Sequence, residues 1–183
     1  MKKILPALFI CLISLSLANA QGDDIPARGK YKHHKPIETK YDKFKDETRV
    51  RVKYLSVTNK KLGAIDISAT YYYQGQTPSK PDSITLSFSS TSREWAFLNN
   101  RELAIIADGQ RFLYDDAALV NARLNSGPYV ESVSERLSVP LPLADFLKII
   151  NSKSVQMKLG RFDFSLAQDH LEALRDFASR MNP

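Results

Sequence analysis

The chain predicts an α+β fold: a mostly antiparallel sheet or sandwich of about eight to ten short strands, with two helices in the C-terminal region. Three observations carry this. Apolar and polar residues alternate along much of the stretch from Arg49 to Phe88, the alternating runs are punctuated by Gly, Pro and Asn turns, and the period lengthens to that of a helix twice after Pro142.

The chain opens with MKKILPALFICLISLSLANA. Lys2 and Lys3 precede an apolar run from Ile4 to Leu17, and Ala18-Asn19-Ala20 has the small-x-small form of a cleavage site. Residues 1–20 therefore read as an export signal, which implies a periplasmic or extracellular protein. The apolar run is shorter than a spanning helix, and no further long apolar run follows it. Cys11 lies inside the signal and is the only cysteine, so the exported chain is expected to form neither disulfides nor thiol-bound metal sites.

Residues 21–45 read as a flexible, basic leader. Between Arg28 and Lys45, seven basic residues face Glu38 and Asp42, with few aliphatic residues to offset the cost of ordering. Tyr41 and Phe44 are the rings expected to dock it on the domain. Loss of Lys2 and Lys3 lowers the formal net charge from +6 to +4, so the leader carries the basicity and residues 46–183, read as one globular domain, are near neutral.

In Arg49–Val57, Val50, Val52 and Tyr54 are expected on one face, with Arg49, Arg51 and Lys53 on the other. After a turn at residues 59–63, Ile65, Ile67, Ala69, Tyr71 and Tyr73 alternate with polar residues and Tyr72. Residues 74–82 form a Pro/Gly loop, and Ile84, Leu86 and Phe88 resume the alternation. A short strand is expected to place Trp95 and Phe97 on one side. Asp108-Gly109 between apolar runs marks a hairpin, because both positions accept positive φ. Two further strands are expected over 117–124 and 129–139.

Pro142 suits the start of a helix whose stripe is Leu143, Phe146, Leu147 and Ile150. Val155, Met157 and Leu159, Gly160-Arg161, then Phe162 and Phe164 describe a second tight hairpin. Ser165–Gln168 has the form of a capping box ahead of a helix with Ala167, Leu171, Leu174, Ala178 and Met181 on one side. Glu172 with Arg175, and Asp176 with Arg180, are spaced to pair outside.

Chemistry-bearing motifs are few. His33 and His34 are neighbours on an extended tract and point opposite ways, which does not suit one metal ion. His170 lies at the edge of an apolar stripe. Glu131 and Glu135 share a strand face about 13 Å apart, too far for paired acid–base work. No nucleophile elbow, metalloprotease helix motif or phosphate-cradling glycine loop occurs. Neither a catalytic residue nor a metal or other cofactor is expected.

The features left are surfaces. Tyr72, beside Trp95, is a candidate platform for sugar or peptide. Lys30, Lys32 and Lys35 of the leader, extended by Arg49, Arg51 and Lys53, are a candidate contact for anionic envelope polymers or lipid headgroups. Nucleic acid fits neither the compartment nor the scarce interleaved aromatics. The expected function is thus a non-catalytic binding or interaction module. The alternatives are a small hydrolase whose site is assembled only in the fold, and a structural subunit contacting another envelope protein.

Overall fold

The computed structural model describes residues 24–29, 31–59, 63–115, 117–126 and 131–182. The expected signal, Lys30 and the centres of the turns near residues 61 and 128 lie outside these. The described elements are β1 (Ile37–Asp42), β2 (Glu47–Asn59), β3 (Gly63–Gln74), β4 (Ser83–Ser92), β5 (Leu103–Ala107), β6 (Gln110–Tyr114), β7 (Ala118–Ser126), β8 (Glu131–Pro142), α1 (Leu143–Asn151), β9 (Val155–Leu159), β10 (Phe162–Ser165) and α2 (Gln168–Ser179).

The strands build two antiparallel sheets. One has six strands in the order β1-β2-β3-β4-β8-β7, the other four in the order β10-β9-β5-β6. The predicted α+β class, with mostly antiparallel strands and two helices near the C-terminus, is what the chain adopts. The large sheet buries one face, built from Val50, Val52, Ile65, Ile67, Ala69, Tyr71, Ile84, Leu86, Phe88, Leu137 and Val139. The small sheet covers one end of it, where Phe88 lies 6.4 Å from Phe164. The helices cover the other, where Phe177 sits 5.0 Å from Tyr71 and 6.0 Å from Phe146.

Both tight hairpins form as their residues dictate. Asp108 and Gly109 have φ of 46° and 88°, the two positive values of a type I′ turn. At Gly160-Arg161 only the glycine is positive, at 57°, as a II′ turn requires, and a β-carbon there would stand 2.6 Å from the Asn100 carbonyl oxygen.

Five expectations are corrected. The tract 21–45 is not leader throughout: Ile37–Asp42 pairs with β2, from Ile37 opposite Val52 to Asp42 opposite Glu47. Tyr54 does not join Val50 and Val52. A bulge sets Lys53 and Tyr54 together against Ser68, and Leu55 takes the inward place while Tyr54 turns out to solvent. Trp95 and Phe97 share no strand, because the Ala96 and Phe97 N–H groups donate to the Glu135 carboxylate at 2.7 and 3.1 Å. Phe97 is buried and Trp95 half-exposed. The capping box does not form on Ser165, which ends β10. Helix α2 begins at Gln168, and His170 Nδ1 accepts the Ala167 N–H at 3.4 Å instead. Phe44 docks on nothing: it is 90% exposed.

Candidate functional site

The outward face of the six-stranded sheet gathers the polar side chains that alternate with the core. Register fixes the rows. Asp66 stands opposite Ser89, Ser89 opposite Arg136, and Arg136 opposite Asn121. One row over, Ser68 is opposite Ser87 and Ser87 opposite Ser138. On the other side Thr91 is opposite Ser134, and Ser134 opposite Arg123. Successive strands are about 4.8 Å apart, so β2 to β7 carries this face across about 19 Å.

The face is a field of hydroxyls set with cations. Arg51 Nη2 donates to Ser68 Oγ at 3.2 Å, and Arg136 Nε donates to Ser89 Oγ at 3.2 Å. Ser87 and Ser138 pair at 3.0 Å, and Asn125 donates to Ser134 at 2.8 Å. Two shallow grooves cross it and share Ser89 and Arg136. One, of about 210 Å³, has Arg51, Lys53 and Asp66 on its wall; the other, of about 370 Å³, has Arg123, Asn121 and Ser134. Arg51 Nε is buried with no acceptor among the described residues. An unmet buried donor costs about 1–3 kcal/mol. The charges are not all open: Lys53 Nζ lies 2.6 Å from Glu38, a bond that holds the Glu38 carboxyl below its usual range.

Of the residues expected at a site, the fold brings Arg51 and Lys53 into this field. Arg49 faces the same way but stands opposite Tyr72, nearer the sheet's end. Tyr72 is about half-exposed, in a recess of about 360 Å³ with Lys80 and Thr85. It does not meet Trp95. The latter follows the far end of β4, level with Gly63, and nine residues of strand separate that level from Tyr72 by about 30 Å. The sequence reading missed Arg136 and Arg123. Their signal was present in the outward polar sets Ser132, Ser134, Arg136, Ser138 and Asn121, Arg123, Asn125, but only the β4–β8–β7 pairing shows that these face the same way as Arg51.

The N-terminal tract is a strap along α2. Arg28 donates to the Asn182 carbonyl at 2.7 Å, Asn182 donates to that of Pro26 at 3.3 Å, and Asn151 to that of Asp24 at 3.1 Å. His33 Nδ1 accepts the Lys35 N–H at 3.1 Å, and its Nε2–H donates to Asp176 at 3.0 Å, so one neutral tautomer satisfies both bonds. Lys35 lies 3.8 Å from Asp169. Of the expected contact residues, Lys35 is therefore engaged by the chain itself, while Lys32 is exposed. Burial first, then Asp176 and Glu172, raise the Tyr31 hydroxyl above its ordinary value.

His170 is buried at the start of α2, where its Nδ1 works as an acceptor for the helix end. Glu131 is exposed and Glu135 buried, its two oxygens occupied by backbone N–H groups. No helix among the described residues is long and apolar enough to cross a membrane, and no group of three or more metal-ligating side chains occurs among them. Comparison with protein-family models, with curated proteins and with solved structures finds no match to this chain.

Proposed function

We propose that this chain is an exported, non-catalytic binding module whose outer sheet face receives an anionic, hydroxyl-bearing polymer of the cell envelope. The observation that supports this best is the continuity of Arg51, Arg136 and Arg123 with the serine and threonine field across β2, β3, β4, β8 and β7. Guanidinium groups suit carboxylate or phosphate by paired N–H donation, and the hydroxyls suit the sugar or polyol between the charges. Exposed ion pairs contribute about 0–1 kcal/mol each, so a single repeat binds weakly and in a salt-dependent way, and a long polymer gains by repeated contact.

The strand edges speak against assembly by strand addition. β7 is bulged at Val120 and carries Arg123, and β1, β6 and β10 are short. The leader, being strapped to α2 and continued as β1, serves the fold as well as the surface. Cutting it away would strip the edge from β2, so point substitutions are the sounder probe.

The test is co-sedimentation with lipid-extracted cell envelopes at low and high salt, comparing the exported chain with Arg51→Gln/Arg136→Gln. The reading expects binding at low salt, a loss of tenfold or more in the double variant, and release by salt. Equal binding by both proteins would overturn it, as would binding indifferent to salt.

A further inference from the structure

The β1–β2 hairpin holds a phenylalanine where no fold requires one. Asp42 and Glu47 close the ladder, and Lys43, Phe44, Lys45 and Asp46 form the turn beyond it. Phe44 is 90% exposed, against 61% for Tyr54, the next most exposed large apolar or aromatic side chain described. A lone exposed ring is ordinary on a protein surface. What sets this one apart is the construction beneath it.

The turn is rigidly made. Asp42 Oδ1 accepts the Phe44 N–H at 2.9 Å, and the Asp42 carbonyl accepts that of Lys45 at 3.3 Å. Asp46 sits at φ 49°, its carboxylate accepting from Tyr41 Oη at 2.7 Å and from Gln74 Nε2 at 3.2 Å. Its carbonyl accepts the Gly75 N–H at 2.7 Å, which fastens the tip to the end of β3. Asp42 and Asp46 thus bond back into the hairpin and Glu47 closes the ladder, so the three lysines of 40–47 are matched by three carboxylates, and the apex itself presents Lys43 and Lys45 on either side of the ring. Lys40, Lys43 and Lys45 are all exposed, and the Lys43 ammonium rides 5.1 Å from the Phe44 ring centroid.

We infer that this tip is a bilayer-interface anchor: Phe44 enters the boundary between headgroups and acyl chains of an anionic membrane, with Lys43, Lys45 and Lys40 on the lipid phosphates. An aromatic ring set between ammonium groups at a protruding apex matches a surface that is apolar a few ångströms beneath an anionic layer. A preformed turn gives up little freedom on insertion. One ring and three lysines give a weak, reversible attachment, which a second contact reinforces. The outer sheet face would supply that contact, and the anchor does not depend on it.

The test is flotation of the exported chain with vesicles of phosphatidylcholine alone and of phosphatidylcholine with phosphatidylglycerol. The anchor predicts binding to the anionic vesicles only, and a fall of about tenfold or more in partitioning for Phe44→Ser. Lys43→Glu/Lys45→Glu should abolish it. Phe44→Ser should leave the melting temperature unchanged, since the ring packs on nothing. In a Trp95→Phe background, Phe44→Trp should retain binding and shift its emission to the blue on anionic vesicles. Undiminished flotation of Phe44→Ser, or an indole that stays in water while the protein floats, would overturn the inference, and so would failure of the unaltered protein to float. Arg51→Gln/Arg136→Gln should float normally, so loss of polymer binding and loss of membrane binding are separately readable. A protein partner for Phe44 is the outcome indicated if Phe44→Ser loses attachment to intact envelopes while no vesicle binds the unaltered chain.

Discussion

Buried Glu135 holds Phe97 in place: its Oε1 accepts the Phe97 N–H at 3.1 Å while Oε2 takes the neighbouring Ala96 N–H at 2.7 Å. Glu135 faces inward between Val133 and Leu137, where alternation calls for an apolar residue. The carboxylate stands in for a strand partner. It satisfies two N–H groups of a segment that pairs with no strand, and so lets Phe97 reach Phe162, ring centroids 5.6 Å apart.

Glu135→Ala removes both acceptors and leaves two N–H groups to be desolvated unpaired. A loss of about 3 kcal/mol or more is expected, with Glu135→Gln, which keeps one acceptor, losing about 1–2. Urea denaturation measures both. Similar small losses in the two variants would show that water replaces the carboxylate.

Tyr54 occupies φ 61°, a left-handed conformation that a bulky side chain adopts at a cost, and its ring is exposed. Tyr54→Gly should raise stability by about 0.5–1 kcal/mol, and Tyr54→Val should lower it by about as much, because the bulge at Lys53–Tyr54 demands the conformation whichever residue fills it. A thermal melt that orders these variants the other way would mean the tyrosine ring contributes a contact of its own.

Burial lowers the His170 imidazole below its ordinary value, with Lys35 acting in the same direction and Asp169 opposing. The folded protein therefore prefers the neutral ring, and the unfolded chain takes up the proton first. Stability from this site is complete above about pH 6.5 and is lost as the pH falls below it. Between about pH 7 and pH 5, the unaltered protein should lose more stability than His170→Gln does. Parallel losses would assign the pH dependence to other groups.

The fold class was legible because each strand's burial is local: alternation in Ile65–Tyr73 or Ile84–Phe88 states which residues face inward wherever the ladder is regular. The reading failed where a non-local group overrode the pattern. The bulge that turns Tyr54 outward has no marker in Lys-Tyr-Leu-Ser, and the Trp95–Phe97 segment takes its shape from Glu135, far along the chain. The leader looked disordered because its composition offers little to bury. Its order comes from polar partners on α2, such as Asp176 for His33, which composition does not report. The candidate face was half legible, since Arg51 and Lys53 could be set on one side of a strand, whereas Arg136 and Arg123 join them only through strand order.

Binding of an anionic polymer on the outer face through Arg51 and its neighbours can be read by titrating the isotope-labelled protein with polygalacturonate, observed through the arginine Nε–H resonances, with neutral dextran as control. The Arg51 and Arg136 signals should then shift, backbone shifts should cluster on residues 66–70, 87–91 and 134–138, and dextran should move none of them. Shifts confined to other surfaces, or Arg51 and Arg136 signals that stay fixed while the polymer binds, would contradict binding at this face.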